Sequence, residues 1–157
     1  MRIEIGGGAV PVDATTMNLD PVHGEGEWRR PAQDVPWPCE DGTVESVRAS
    51  HVMEHVPAAD RIAVFNEAWR VLRPGGSFEV VVPILSASLG PSGQVLFDWG
   101  ALADPTHVSL WVRESFAYFT GAIRPNAEYG ISLWREQSWR VERQPFGDEG
   151  HWTGVKP

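Results

Sequence analysis

The sequence lacks several features by which whole classes of protein are recognised. It has one cysteine, Cys39, which excludes an internal disulfide and fits a reducing compartment. It has no run of lysine or arginine and a formal net charge of -8, so nucleic acid is an unfavourable partner. No apolar stretch reaches the roughly 18 residues of a membrane-spanning helix, and no signal-peptide pattern is present. A cytoplasmic protein without a membrane partner is therefore expected.

What the sequence does contain indicates one folded domain. Hydrophobic residues make up 42% of the 157 residues, and eight tryptophans and six phenylalanines supply bulky side chains for a core. There is no internal repeat. We expect a single domain over residues 1–157, with a flexible loop at residues 86–98 and a loose C-terminal end at residues 148–157.

Residues 43–85 organise the chain, because their hydrophobic period changes twice. A short extended run ends near Ser50. The apolar residues that follow are spaced as on one side of a helix: Ile62, Phe65, Trp69 and Leu72. Residues 73–76 (RPGG) predict a helix end with a glycine C-cap, and residues 78–85 are typical of a strand buried on both faces. Strand, helix and strand predict a right-handed crossover between parallel strands.

Polar residues and glycines follow two of the predicted strands at the edge where ligands bind. In an open parallel sheet, this edge is formed by the carboxyl ends of the strands. His51, Glu54 and His55 come directly after the strand that ends near Ser50. A first strand over residues 1–5 runs into three glycines, whose backbone can approach a ligand closely.

Weaker patterns predict the remaining elements. Residues 15–19 have the pattern of a second strand, and residues 115–119 that of a short helix packed by its aromatic side chains. The residues from Tyr129 to Gln144 predict one or two β elements. The intervening residues 20–42 are rich in proline and glycine, which predicts a long loop.

Five short motifs occur in an order that resembles one known family. They are residues 34–38 (DVPWP), 40–44 (EDGTV), 50–56 (SHVMEHV), 67–76 (EAWRVLRPGG) and 81–83 (VVP). The sequence resembles the class I S-adenosylmethionine-dependent methyltransferases, and residues 104–107 (DPTH) are similar to a later segment of that family. The resemblance implies an α/β Rossmann-like fold with a mostly parallel sheet. It also implies S-adenosylmethionine as the cofactor and methyl transfer to an unidentified small-molecule, sugar or protein acceptor.

By this resemblance, the glycine-rich turn corresponds to the first part of a cofactor site. Glu4 with Gly6, Gly7 and Gly8 corresponds to the acidic glycine motif beside the methionine part of the cofactor. The physical requirement at this place is a backbone that can come close to the ligand, with a carboxylate that orients the turn or the ligand's amine.

The resemblance carries over the rest of the cofactor site residue by residue. Asp20 corresponds to the acid that accepts hydrogen bonds from both ribose hydroxyls. Asp34 corresponds to the residue facing the adenine amino group, with the backbone of Val35 beside the ring. Ser50 and His51 correspond to the edge between cofactor and acceptor. We expect these strand ends to converge on one nucleoside-sized hollow.

Methyl transfer needs a base only if the acceptor oxygen or nitrogen is protonated, because the sulfonium is already activated. The candidates are His55 and His107, followed by Glu54 and His51. Each has a structural alternative: a histidine at a strand edge can simply hydrogen-bond to backbone, and Glu54 can cap the following helix.

The sequence departs from the family between the glycine run and Asp20. Only the eleven residues 9–19 lie there, too few for both a helix and a strand. The missing helix would remove its amide dipoles and one covering layer of the sheet, which favours weaker cofactor binding or cover by a homodimer. Domains reduced in this way occur in bacteriophage genomes, so a phage origin is expected. The same departure leaves open a degenerate fold that binds a partner without catalysis.

One further motif suggests different chemistry. His51, Glu54 and His55 form an H-x-x-E-H pattern, an inverted zinc-peptidase signature. Such a site needs both histidines on one face of a continuous helix and a distant third ligand. Here the motif follows a strand at once and Pro57 comes two residues later. The family resemblance explains the same letters without a metal, so no metal is expected.

Overall fold

A computed structural model of the protein describes residues 1–11, 15–123 and 130–157. The strands are Arg2–Ile5 (β1), Thr16–Leu19 (β2), Val44–Ser50 (β3), Leu72–Pro83 (β4), Ser86–Leu89 (β5), Val95–Asp98 (β6), Arg135–Gln144 (β7) and Gly147–Val155 (β8). The helices are Arg61–Val71 (α1), Gly100–Ala103 (α2) and Arg113–Ala117 (α3). None of the helices in these three parts of the chain is long and apolar enough to span a membrane.

A six-stranded sheet with the order β2-β1-β3-β4-β8-β7 forms the centre of the fold. Strands β2, β1, β3 and β4 pair in parallel, and β8 pairs antiparallel with both β4 and β7. Helix α1 connects the parallel neighbours β3 and β4. The predicted α/β Rossmann-like architecture is confirmed, as is the crossover between parallel strands.

One face of this sheet carries the hydrophobic core. Ile3, Val47 and Phe78 lie side by side on neighbouring strands, so their side chains point to the same face. Helix α1 covers this face with Phe65, whose ring centroid lies 5.2 Å from that of Phe78. Helix α3 adds Phe116, which stacks on Trp152 of β8 at 5.2 Å. The buried side of α1 differs from the predicted stripe: Phe65 is buried, but Ile62 and Trp69 are only partly buried, Leu72 already lies in β4, and Val64, Ala68 and Val71 complete the contact with the sheet.

The opposite face of the sheet, called the open face below, is polar. It is formed in the same register by Arg2, Glu4, Ser46, Arg48, Ser77 and Glu79. Nη1 of Arg48 lies 2.8 Å from Oε1 of Glu4, and its Nε lies 3.3 Å from Oε2 of Glu79. A face of this kind is stable in water, so the absence of a covering helix does not by itself demand a second subunit. The homodimer stays a prediction.

The junction between α1 and β4 differs from the predicted glycine C-cap. The helix ends at Val71, and Leu72 is already extended, with φ -68° and ψ 137°. Leu72 is fully buried and pairs with Val44, which starts the strand at once. Gly75, with φ 76°, instead lies where the register between β3 and β4 shifts. The strand predicted over residues 78–85 is buried on both faces at Val80, Val81 and Val82, whereas Glu79, on the same face as Val81, is only half-buried.

Residues 86–98 form a hairpin, so the prediction of a flexible loop is wrong. Strands β5 and β6 pair antiparallel, from Ser86 opposite Asp98 to Leu89 opposite Val95. The turn closes with a hydrogen bond of 2.9 Å from the N–H of Gly93 to the carbonyl oxygen of Gly90. Short extended runs on both sides of this turn were too weak in alternation to predict strands.

The predicted loose end at residues 148–157 is also wrong. Strand β8 lies inside the sheet, hydrogen-bonded to β4 on one side and β7 on the other. Its Trp152 has no exposed surface. The β structure predicted from Tyr129 begins at Arg135, and Tyr129 itself lies outside the described residues.

Candidate active site

The glycine turn after β1 is packed tightly on one side and open on the other. Gly6 and Gly8 have positive φ angles of 67° and 62°. A Cβ atom on Gly6 would lie 2.4 Å from Cγ2 of Val52, which follows β3. A Cβ atom on Gly8 would meet nothing within 4 Å. Gly6 therefore fits the turn against the sheet, whereas Gly8 presents its backbone to open space.

Asp20 holds this turn in place from the end of β2. Its Oδ2 accepts a hydrogen bond of 3.1 Å from the N–H of Gly8. Its Oδ1 accepts hydrogen bonds of 2.8 Å each from the N–H groups of Val22 and His23. Burial raises the pKa of Asp20, but the hydrogen bonds from His23, Val22 and Gly8 outweigh it and leave the pKa below its usual value. The carboxylate predicted to bind ribose is thus ionised and fixed beside the glycine turn.

Asn18 is a residue of this site that the sequence analysis missed. Its Oδ1 accepts a hydrogen bond of 3.1 Å from the N–H of Gly7, and its Nδ2 donates one of 2.9 Å to the carbonyl oxygen of Gly8. An asparagine two residues before Asp20 points to the same side of the strand, and this spacing was the available signal. Asn18 and Asp20 together satisfy the backbone of a turn that no helix continues.

Glu4 lies beneath the same turn. Its side chain is only 6% exposed and is paired with Arg48 on the open face. A Cβ atom on Gly7 would come within 3.2 Å of Oε2 of Glu4 and within 2.8 Å of Oδ1 of Asn18. The carboxylate therefore lies against Gly7, and its role beside the methionine part of the cofactor stays a prediction.

Asp34 and Val35 lie on the long loop between β2 and β3. The side chain of Asp34 is 60% exposed, and its Oδ2 is 4.0 Å from Nη1 of Arg30. Val35 is 37% exposed. Their loop is anchored next to them, where the N–H of Trp37 donates a hydrogen bond of 2.6 Å to Oε1 of Glu67 in α1. The adenine-facing role of Asp34 and Val35 stays a prediction.

Ser50 and His51 end β3 at the carboxyl edge of the sheet, next to β4 and β8. Ser50 is half-buried opposite Val81, and His51 has a positive φ of 55°. The His51 ring spans two acids, with Nδ1 3.3 Å from Oε1 of Glu54 and Nε2 3.0 Å from Oε1 of Glu149. Glu54 raises the pKa of His51 above its usual value, against the opposing effect of burial and with help from Glu149. His51 therefore joins β3 to β8.

The three residues predicted as catalytic candidates come together. Glu54, His55 and His107 each have a potential ligand atom within 4.8 Å of those of the other two. The rings of His55 and His107 meet edge to face, with centroids 5.0 Å apart. The segment with His107 is held there because the N–H of Val108 donates a hydrogen bond of 2.9 Å to the carbonyl oxygen of Glu54. The sequence named these three residues as candidates, and the structure adds that they lie together; their catalytic role stays a prediction.

The local structure around these residues decides two of the alternatives. Residues Met53–His55 form a single 3-10 turn, so the continuous helix of a zinc peptidase is absent from this described segment. Asp60, not Glu54, occupies the N-cap position of α1. Glu54 is completely buried, and neither of its carboxylate oxygens has a hydrogen-bond partner among the described residues.

Two cavities lie near the sheet, and they differ in position. One of about 350 Å³ adjoins the glycine turn and is lined by Gly8, Asn18, His23 and Trp28 among others, but not by Asp20, Asp34 or His51. This cavity therefore does not bring together all the strand ends that were predicted to converge on one hollow. Another of about 400 Å³ lies over the open face, beside Arg48. Because ligands of this fold bind at the carboxyl ends of the strands, the smaller cavity is the better candidate for the cofactor.

Comparison with known proteins agrees with this geometry. Residues 17–80 match the family model of a methyltransferase domain. A search of curated protein sequences finds no match. The structure is similar to a Burkholderia thailandensis 1,6-didemethyltoxoflavin-N1-methyltransferase solved with 1,6-didemethyltoxoflavin and S-adenosylhomocysteine, with a TM-score of 0.61 and 10% identity over 99% of this chain and 70% of that one.

Other solved structures are similar to the same extent. A SAM-dependent methyltransferase from Methanosarcina mazei has a TM-score of 0.60 and 11% identity over 99% of this chain and 91% of its own. A 16S rRNA (adenine(1408)-N(1))-methyltransferase from Catenulisporales acidiphilia has a TM-score of 0.55 and 13% identity over 99% and 83%. This is a class I methyltransferase fold. The resemblance seen in the sequence is confirmed at the level of the fold, and the match over residues 17–80 supports S-adenosylmethionine as the cofactor.

Proposed function

We propose that the protein transfers the methyl group of S-adenosylmethionine to an acceptor. The observation that carries this proposal is the fixed arrangement of the Gly8 backbone and the Asp20 carboxylate at the carboxyl ends of two neighbouring parallel strands, beside a cavity of about 350 Å³. A volume of this size is within the range of small-ligand sites. The missing helix is replaced at this point by hydrogen bonds from Asn18 and Asp20.

In this proposal the chain positions the cofactor and excludes water. The backbone of residues 6–8 approaches the methionine part, and the oxygens of Asp20 keep lone pairs for the ribose hydroxyls. Ser50 and His51 border the path from cofactor to acceptor. The sulfonium needs no activation, so alignment of the acceptor supplies most of the rate. His55 or His107 would accept a proton from an acceptor that carries one.

The acceptor does not follow from the fold. The structures compared above are named for acceptors as different as 1,6-didemethyltoxoflavin and an adenine of 16S rRNA. The formal net charge of -8 disfavours a polyanion. We therefore propose a small molecule, a sugar or a protein as the acceptor.

Calorimetric titration with S-adenosylhomocysteine tests cofactor binding, and the chain offers a matched pair of variants. Gly8 and Gly42 have φ angles of 62° and 67°, and at both a Cβ atom would meet no protein atom within 4 Å. Gly8→Ala and Gly42→Ala therefore carry similar backbone strain, on the order of 1–2 kcal/mol. Only Gly8→Ala should weaken ligand binding, by about tenfold or more, because its methyl group takes the place of the approaching cofactor.

The non-catalytic alternative predicts a different result of the same titration. Asp20 already accepts three backbone N–H groups, which leaves fewer free acceptor positions for a ribose. If the wild-type protein released no heat with millimolar S-adenosylhomocysteine, the domain would be a binding module that has lost its cofactor. Equal effects of Gly8→Ala and Gly42→Ala would place the cofactor elsewhere.

A further inference from the structure

We propose that Glu54, His55 and His107 form a binding site for one divalent transition-metal ion of the zinc type. The three side chains come from a 3-10 turn after β3 and from the segment between α2 and α3. Their potential ligand atoms lie within 4.8 Å of one another. The site does not depend on the proposed methyl transfer, because it is defined by protein groups alone.

The first argument is the environment of Glu54. Its side chain is 0% exposed, and both carboxylate oxygens lack a hydrogen-bond partner among the described residues. The ring of His51 is near, with Nδ1 3.3 Å from Oε1, but that ring also contacts Glu149. A buried carboxylate that shares one histidine with a second acid, and whose Oε2 has no partner among the described residues, is unfavourable unless a further cation compensates it. A metal ion between Glu54 and the two histidines would supply this compensation.

The second argument is the orientation of the two histidine rings. Nδ1 of His107 lies 2.9 Å from the carbonyl oxygen of Ala101, and Nδ1 of His55 lies 3.2 Å from that of Thr106. A carbonyl oxygen can only accept, so the tautomer that satisfies both contacts carries the proton on Nδ1 and leaves the lone pair on Nε2, which in His107 lies 3.8 Å from Oδ2 of Asp104. This is the usual arrangement of metal-binding histidines, whose second nitrogen donates to a backbone carbonyl or a carboxylate.

The third argument is the donor set. Two imidazole nitrogens and one glutamate oxygen are a set that holds zinc in catalytic sites and leaves a fourth position open. His55 is exposed to solvent, so the open position would be reached from outside. An oxygen of a ligand bound there would have its pKa lowered by the ion.

A second acidic cluster serves as a comparison for the proposed metal site. Glu142, Glu149 and His151 also lie close enough to share an ion. Arg140 already fills this place, with Nε 2.9 Å from Oε1 of Glu142 and Nη2 3.0 Å from Nδ1 of His151. The arginine supplies the positive charge and occupies a histidine nitrogen, so this cluster is a control and not a candidate.

The test is titration of Zn²⁺ into untagged, chelator-stripped protein, with a competing chromophoric chelator as the readout. The wild type should bind one ion per chain. His55→Gln and His107→Gln should each weaken that binding by at least about a hundredfold, more than the loss of an outer partner causes. Glu142→Gln should leave it unchanged. Co²⁺ should give d–d absorption bands of a tetrahedral site in the wild type, and these bands should be absent in both histidine variants.

Glu54→Gln provides a second readout that separates metal binding from folding. Without metal, this variant loses the contact of Glu54 with His51 and should still unfold in one cooperative transition, which shows that it folds. Zn²⁺ should raise the melting temperature of the wild type and not that of Glu54→Gln. The proposal is overturned if the wild type binds no Zn²⁺, or if the histidine variants bind it as the wild type does. No cofactor is present in these measurements, so their outcome is independent of the titration with S-adenosylhomocysteine.

Discussion

Asp20→Asn separates the structural role of this carboxylate from its role in cofactor binding. In the wild type, Oδ1 accepts hydrogen bonds from Val22 and His23, and Oδ2 accepts one of 3.1 Å from the N–H of Gly8. An asparagine can keep only one of these two acceptors. If its oxygen stays with Val22 and His23, its amide group faces the N–H of Gly8, and two donors oppose each other.

The expected loss of stability follows from the hydrogen bonds that this substitution weakens or removes. Leaving a buried N–H unsatisfied costs about 1–3 kcal/mol, and two hydrogen bonds also lose their charged acceptor. We expect a decrease of about 2–4 kcal/mol in the free energy of unfolding at pH 7. Asp34→Asn is the matched control, because its side chain is 60% exposed and should change stability by less than about 0.5 kcal/mol. Urea denaturation followed by tryptophan fluorescence measures both values.

Acid titration provides the second part of the test. The pKa of Asp20 is lowered in the folded state, so its contribution is complete above the unfolded value of about 3.9 and is lost as the pH falls through the folded value. The stability difference between the wild type and Asp20→Asn should therefore shrink below about pH 4. The reasoning is refuted if Asp20→Asn is as stable as Asp34→Asn at pH 7, or if the difference grows in acid.

Two further variants test the turn and the open face. Gly6→Ala should lower the free energy of unfolding by about 2 kcal/mol or more, because the φ of Gly6 is 67° and the new methyl group would lie 2.4 Å from Val52. Urea denaturation measures this value, and an unchanged midpoint would mean that the turn is not packed there. Arg48→Met should lower the free energy of unfolding by about 1 kcal/mol at low salt and by less in 1 M NaCl, since it removes the ion pairs with Glu4 and Glu79. A loss of stability that does not depend on salt would contradict an electrostatic role.

Part of the fold could be predicted because local patterns determine it. Helix α1 and the polar residues after β3 both lie where the sequence predicts them, although the buried side of α1 is formed by Val64, Phe65, Ala68 and Val71. Strand β8 could not be predicted, because its glycines have the composition of a loose end. In the structure, a Cβ atom on Gly150 would lie 2.4 Å from Trp139, and one on Gly154 would lie 2.1 Å from Trp152. These glycines make room for tryptophan rings, and the ring over Gly150 belongs to Trp139 on the neighbouring strand β7.

The candidate site was also predictable only in part. The residue types at the strand ends were predictable from the family motifs, and Glu54, His55 and His107 do meet. Their chemistry depends on burial, which the sequence does not contain: Glu54 is fully enclosed, whereas His55 is exposed. The role of Asn18 was missed for a related reason, since its value lies in satisfying the backbone of a turn whose helix is missing.

The open face has a consequence for how a three-layer domain can become smaller. Deleting a helix from such a domain would ordinarily leave every second strand residue apolar and uncovered. Here the positions concerned are Arg2, Ser46, Arg48, Ser77 and Glu79, in three adjacent strands that are far apart in the sequence. A reduction of this kind requires coordinated substitutions across the sheet as well as a shorter connection. The two-layer arrangement is therefore a property of the strands themselves, and restoring a helix between β1 and β2 would bury charges rather than repair a defect.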